Sequence, residues 1–153
     1  MAKTGDNSKT ALIDGLNGLL ADHLALYFKT KNFHWHVTGP RFRDLHLLFD
    51  EQAAAIFAQV DLIAERVRKN GAPTLTSIGS VMRATQIADQ DKAGLSAEDM
   101  IAELRDDNAA LVKRLKELKE HAEKAGDNAT DGLIDDWTDQ AEERVWFLSS
   151  VLA

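Results

Sequence analysis

The sequence predicts an all-α protein that folds as one four-helix bundle. Apolar residues recur with the period of an α-helix over four long stretches of the chain. Only two prolines interrupt 153 residues, of which 44% are apolar, so the chain can bury one substantial core. We therefore expect a single domain over residues 9–153, preceded by a flexible polar tail over residues 1–8.

Each of the first two helices is predicted from an apolar stripe and a stop signal. The first covers about residues 9–37 and ends at the Thr-Gly-Pro of residues 38–40, because glycine frees the backbone and proline cannot continue a helix. The second covers about residues 42–70, where Gly and Pro follow again. The predicted buried stripes are Leu12, Leu16, Leu19, Leu20, His23, Leu24 and Tyr27 in the first helix, and Phe42, Leu45, Phe49, Ala53, Ile56, Val60, Ile63 and Val67 in the second.

The second half of the chain predicts a long connection and two more helices. Residues 74–95 form the connection, with a short helix near residues 78–83. Ser96 is the predicted N-cap of a helix that runs to about Lys124, and the last helix covers about residues 130–152. One long connection between the second and third long helices is typical of the ferritin-like four-helix bundle.

Composition narrows the function classes. The absence of cysteine excludes disulfides, thiolate metal sites and cysteine catalysis. The N-terminus lacks the apolar region of a signal peptide and no segment approaches the length of a membrane span, so we expect a cytoplasmic protein. The formal net charge of −7 disfavours nucleic acid or an anionic membrane as the main partner and suits cations.

Four residues of metal-ligand type lie on one stripe of the second helix. His46 and Asp50 are spaced i, i+4, as are Asp61 and Glu65, so each pair stacks one turn apart on one face. Asp50 and Asp61 are eleven residues apart, about three turns, which returns the second pair to the side of the first. Because helical rise separates His46 from Asp61 by about 22 Å, one metal cannot use both pairs of one chain.

A second copy of the helix, antiparallel across a two-fold axis, would join the pairs. His46 and Asp50 of one chain would then face Asp61 and Glu65 of the other. Acids on a helix are more often a solvated surface, but this flank also carries apolar side chains, which indicate a second packing partner. The axis would pass near residues 55 and 56, where alanines allow close approach. The apolar residues of this flank are Leu47, Ala54, Phe57 and Ala58.

These residues form part of a longer pattern that resembles the Dps family, the DNA-binding proteins from starved cells or mini-ferritins. The matching segments are NFHWHVTGPRF (residues 32–42), LHLLFDEQ (residues 45–52), Asp61 and AER (residues 64–66). The resemblance implies a hollow dodecamer with ferroxidase centres at its two-fold interfaces. His34, His46 and Asp50 would come from one subunit, with Asp61 and Glu65 from its partner. The family motif, and not spacing, identifies His34. The chain lacks the Glu-x-x-His of ferritins with a di-iron site inside one bundle, which favours intersubunit sites.

The resemblance also implies the chemistry. Two irons per site would be oxidised from Fe(II) to Fe(III), with hydrogen peroxide as the expected oxidant or dioxygen instead, and stored as a ferric mineral that protects against oxidative stress. Zinc, cobalt or manganese also suit imidazole and carboxylate ligands. Trp35 resembles a tryptophan proposed to take up stray oxidising equivalents, and a packing role is equally compatible. For His36 we expect a surface or hydrogen-bonding role, and for His23 a core or interface position.

Two alternatives concern the remaining charges. Four acids, Asp127, Asp131, Asp135 and Asp136, either cap the last helix or line acidic pores of a cage. A DNA-compacting protein, whose metal site only stabilises the dimer, is the alternative function. Residues 1–10 offer Lys3 and Lys9 against Asp6, so few phosphate contacts are available and we expect weak or absent DNA binding. Trp137 and Trp146 are predicted to be packing or subunit-contact residues.

Overall fold

The computed structural model describes residues 4–153, with side chains from Asn7 onward, and it contains helices and no strand within that range. Four long helices form the bundle, and a short one lies in the connection between the second and third. This confirms the predicted all-α architecture. The helices are α1 (Thr4–His36), α2 (Phe42–Lys69), α3 (Ile78–Ala84), α4 (Ala97–Ala125) and α5 (Asn128–Leu152).

Helix ends follow the predicted stop signals, and the largest difference from the predicted helices is the start of α1. Helix α1 begins at Thr4, five residues before the predicted position, because no proline precedes Pro40 to stop the helix from extending. Residues 4–8, predicted as part of a flexible tail, are therefore helical, and residues 1–3 lie outside the described part of the chain. After α1, Gly39 has a φ of 111°, which a residue with a side chain rarely adopts.

Capping fixes the later helix starts. The Ser96 hydroxyl accepts a hydrogen bond from the Asp99 backbone N–H at 3.1 Å, which confirms the predicted N-cap of α4. Helix α5 begins at Asn128, two residues before the predicted start, because Asp127 acts as its N-cap. Among the described residues, no helix combines the length and the apolar content that a membrane span requires.

The bundle core contains most of the predicted stripes. Phe33, Phe49 and Trp137 are its largest fully buried side chains. Phe42 is the main error: it is 45% exposed, since it is the first residue of α2 and lies against the His46 ring, with centroids 5.1 Å apart. Three other residues of the predicted stripes are only half-buried, namely Leu24, Tyr27 and Val60.

Outside the core, α1, α2 and α3 border an apolar groove of about 650 Å³. Its lining includes Phe28, Phe57, Ile78 and Met82, which are all exposed in the single chain. On α2 the residues of the predicted apolar flank, Leu47, Ala54, Phe57 and Ala58, are likewise exposed. The chain thus presents an uncovered apolar surface beside the stripe of candidate ligands. We call this apolar surface the α1–α2 face.

Candidate metal centre

The turn between α1 and α2 brings two histidines into contact. The rings of His34 and His46 stack with centroids 3.8 Å apart and an interplanar angle of 17°. Nδ1 of His34 lies 2.6 Å from the His46 carbonyl oxygen, and Nδ1 of His46 lies 2.7 Å from the His34 carbonyl oxygen. Because a carbonyl only accepts, each neutral ring carries its proton on Nδ1 and leaves Nε2 unprotonated. A metal-binding histidine is commonly oriented in this way.

Asp50 lies one turn after His46, on the same side. Its Oδ1 is 3.8 Å from Nε2 of His34, and its side chain is 53% exposed. The hydrogen bond from Lys31, at 2.8 Å, lowers the pKa of Asp50, so the carboxylate is ionised at neutral pH. The structure therefore brings the three candidate ligands expected from one subunit close together, although these three side chains do not surround a common metal position.

Lys31 is a residue of this cluster that the sequence did not indicate. Besides pairing with Asp50, its ammonium group lies 5.9 Å from the centre of the Trp35 ring. Trp35 is 55% exposed and meets Phe28 edge-on, with centroids 6.0 Å apart. The spacing of these residues could have indicated Lys31, because Lys31, His34 and Trp35 lie at i, i+3 and i+4 and therefore on one face of α1. In the metal-free chain a cation therefore already neutralises Asp50.

Asp61 and Glu65 stand apart from this cluster. Both are exposed, and neither side chain forms a hydrogen bond or ion pair with any residue that the structure describes. No group of three or more His, Cys, Asp or Glu side chains in that part of the chain surrounds a common metal position. A single chain therefore supplies separate groups of ligands, and the joining of these groups between subunits stays a prediction.

His36 and His23 form hydrogen bonds within their own chain. His36 is exposed, and its Nδ1 bonds to the backbone oxygen of Asn32 at 2.9 Å and to its side-chain oxygen at 2.7 Å. His23 is fully buried, with Nδ1 2.9 Å from the Leu19 carbonyl and Nε2 2.7 Å from Oε1 of Gln59. Burial lowers the pKa of His23 to about 4, so it is neutral in the core. The hydrogen-bonding role predicted for His36 and the core position predicted for His23 are confirmed.

The acids around the start of α5 are largely neutralised within the chain. Asp127 accepts from the Thr130 backbone N–H at 3.1 Å and from Arg66 at 2.8 and 3.0 Å. Burial opposes ionisation of Asp127, but the bonds from Thr130, Asn70 and Arg66 outweigh it and hold its pKa well below the usual range.

Lys119 bridges two further acids of this group, Asp131 and Asp135, and these bonds raise the pKa of the lysine. Asp136 is exposed and accepts from Gln140 at 2.9 Å. The capping role is thus confirmed for Asp127, and a pore-lining role for the others stays a prediction. Of the two later tryptophans, Trp137 packs in the core, whereas Trp146 is 64% exposed beside Phe147.

The chain is similar to known proteins over nearly its whole length. Residues 13–153 match the ferritin-like domain family. A relative from Helicobacter pylori, named a DNA protection during starvation protein, is 31% identical over 138 residues, or 90% of this chain and 96% of the relative. The crystal structure of a Dps protein from Bacillus brevis has a TM-score of 0.92 at 30% identity and covers 100% of both chains.

A second solved structure adds a statement about chemistry. It is a DPS protein from Vibrio cholerae O1, described as a member of a broad superfamily of ferritin-like diiron-carboxylate proteins. Its TM-score is 0.90 at 27% identity, and the alignment covers 96% of this chain and 92% of that one.

Proposed function

This chain belongs to the Dps family of ferritin-like proteins, and we propose that it oxidises iron(II) at centres shared between two subunits. The product is stored as ferric mineral inside a dodecameric cage, and hydrogen peroxide is the oxidant that we favour. The observation that carries the proposal is the pair of stacked histidines with free Nε2 atoms, next to an ionised Asp50, on an exposed apolar face.

The unpaired acids support a shared site. Asp61 and Glu65 are charged, exposed and without a partner in the described chain, although they lie beside apolar surface. If a second subunit covers this face with antiparallel α2 helices, each acid pair meets the partner's His46 and Asp50. Ala54 and Ala58 are exposed near the proposed axis and have no side chain long enough to hold the helices apart. Each dimer would then carry two centres.

The histidines and the carboxylates have different roles at such a centre. His34 and His46 supply neutral nitrogen ligands for iron(II), whereas Asp50, Asp61 and Glu65 supply anionic oxygen ligands that stabilise the iron(III) product. Two iron(II) ions give one electron each to hydrogen peroxide, and the O–O bond breaks. With two protons, the products are two iron(III) ions and two waters. The exposure of Trp35 and its contact with Lys31 support a role for Trp35 in taking up stray oxidising equivalents.

The test combines oxidation kinetics with assembly. Iron(II) is titrated anaerobically into the protein at low loading, peroxide is added, and the initial rise of ferric absorbance is recorded while light scattering reports the size. Replacing Asp61 and Glu65 with Ala should abolish fast oxidation without unfolding the chain. Glu117→Ala with Glu120→Ala removes two exposed acids from α4 and serves as the matched control. An intact cage that oxidises iron at the parental rate without Asp61 and Glu65 would refute the site.

DNA binding is proposed to be weak or absent at physiological salt. The net charge of −7 opposes the phosphate backbone, and the first ten residues carry only two lysines. Gel retardation with plasmid DNA and metal-free protein tests this. Tight retardation at that salt would favour the DNA-compacting function instead.

A further inference from the structure

Helix α5 carries an arginine at a core position of the bundle. Its buried stripe includes Trp137, Ala141, Arg144 and Leu148, and Arg144 is only 3% exposed. Nε of Arg144 donates to Oδ1 of Asn108 at 2.7 Å, whereas the buried Nη1 and Nη2 have no hydrogen-bond partner among the described residues. Within the described chain, no carboxylate lies within ion-pair distance of this guanidinium. An unpaired buried charge is costly, so an anion from outside the described chain that contacts this guanidinium would stabilise the fold.

A pocket of about 100 Å³ lies beside Arg144, between α2 and α5. Gln52 lines it and is 5% exposed. The Gln52 Nε2 is 3.5 Å from the Arg144 carbonyl oxygen, and the Gln52 Oε1 is buried without a donor from any residue that the structure describes. The pocket thus presents unused donors from Arg144 and one unused acceptor from Gln52. The volume exceeds what a single water requires.

We propose that this pocket binds a small oxyanion that still carries a proton, of the chemistry shared by hydrogen phosphate and bicarbonate. Two of its oxygens accept from the planar guanidinium fork of Arg144, a geometry that matches carboxylate and phosphate groups. Its hydroxyl donates to Oε1 of Gln52. A fully deprotonated oxyanion such as sulfate satisfies Arg144 but has no donor for Gln52.

One positive and two negative side chains line the pocket, and their distances from the anion determine whether an anion binds. Burial lowers the pKa of Arg144 to about 10, which leaves it protonated at neutral pH. Glu51 and Glu143 also line the pocket and oppose an anion, but both are exposed, so water and salt screen them. Arg144 is buried and would contact the anion directly, where screening is weaker. The attraction of the anion to the Arg144 guanidinium is therefore stronger than its repulsion by the exposed Glu51 and Glu143.

The experiment measures anion binding to the metal-free full-length protein. Thermal unfolding is followed with inorganic phosphate, bicarbonate or sulfate at equal ionic strength, and ³¹P line broadening reports phosphate exchange directly. We expect a saturable rise in midpoint with phosphate or bicarbonate and a smaller one with sulfate. At 100 times the Kd, binding would shift the folding equilibrium about 100-fold. The stronger of the two protonated anions identifies the source of the ligand.

Variants separate pocket binding from general salt effects. Arg144→Met should remove the saturable rise and the line broadening, whereas Arg105→Met, which removes an arginine paired at the surface with Asp106, should keep both. If Arg144→Met does not fold, Gln52→Met still tests the idea, because it should abolish the preference for phosphate over sulfate. Unchanged responses in Arg144→Met would show that the anions act outside the pocket. Equal responses to all three anions in the parent would refute a site that requires a protonated oxyanion.

Discussion

Glu65 and Arg66 are neighbours on α2, yet their surroundings differ completely. Arg66 is paired with Asp127 at 2.8 Å and donates to the Thr130 hydroxyl at 2.8 Å, so it ties α2 to the start of α5. Glu65 is exposed and has no partner in the described chain. A charge with partners in its own chain builds the fold. A charge without them, on an otherwise apolar face, is available to a second subunit or a metal.

The largest effect on this comparison is expected from Asp127→Ala. The change removes an N-cap and leaves the half-buried Arg66 without its carboxylate, so the free energy of unfolding should fall by about 2–4 kcal/mol. Asp61→Ala with Glu65→Ala should change it by no more than about 0.5 kcal/mol. Urea unfolding of metal-free protein measures both. Equal losses would show that the unpaired acids also hold the fold together.

A contrast of the same kind exists on α1. His34→Ala should slow peroxide-driven iron oxidation by at least about 10-fold, because it removes a proposed ligand, and loss of an outer-shell partner alone costs about 10- to 100-fold. His36→Ala should leave the rate unchanged, since His36 is exposed and bonded to Asn32. Initial rates at low iron loading, with assembly checked by light scattering, distinguish the two. A slower His36→Ala protein would mean that this ring also reaches the site.

Acid should sharpen the difference between paired and unpaired carboxylates. The folded chain holds the pKa of Asp127 below its ordinary value, which is about 3.9. Its ionised form therefore stabilises the fold above pH 4, and this contribution is lost as the pH falls below 4. Between pH 5 and pH 3 the parent should lose about 1 kcal/mol more stability than Asp127→Asn, which cannot titrate. Parallel curves for the two proteins in urea would contradict this assignment.

The smallest effect concerns Lys31, the lysine that pairs with the proposed ligand Asp50. Lys31→Met should tighten binding of zinc or cobalt by a few-fold, because the metal no longer displaces an ammonium group from Asp50. The gain is limited, since exposed ion pairs are weak. Calorimetric titration measures the affinity. Lys116 is an exposed lysine on α4, and Lys116→Met is the control. An equal gain in affinity in Lys116→Met would show that the effect comes from the change in net charge and not from the loss of the Lys31–Asp50 pair.

The helix positions and the stripe of candidate ligands on α2 could be predicted from the sequence. The backbone fixes 3.6 residues per turn, so the spacing of His46, Asp50, Asp61 and Glu65 places them on one face whatever packs against it. Glycine and proline mark where α1 and α2 end for equally local reasons. His34 required the family motif, because its place beside His46 depends on how the chain turns between two helices.

Tertiary structure alone decided which groups meet. The reciprocal bonds of His34 and His46, the pairing of Lys31 with Asp50 and the burial of Arg144 each depend on the packing of separate helices. Phe42 illustrates the limit, since its place in the apolar stripe predicted burial but its position at the first residue of α2 left it exposed. Periodicity is a property of one helix, whereas burial and pairing depend on what lies across from it.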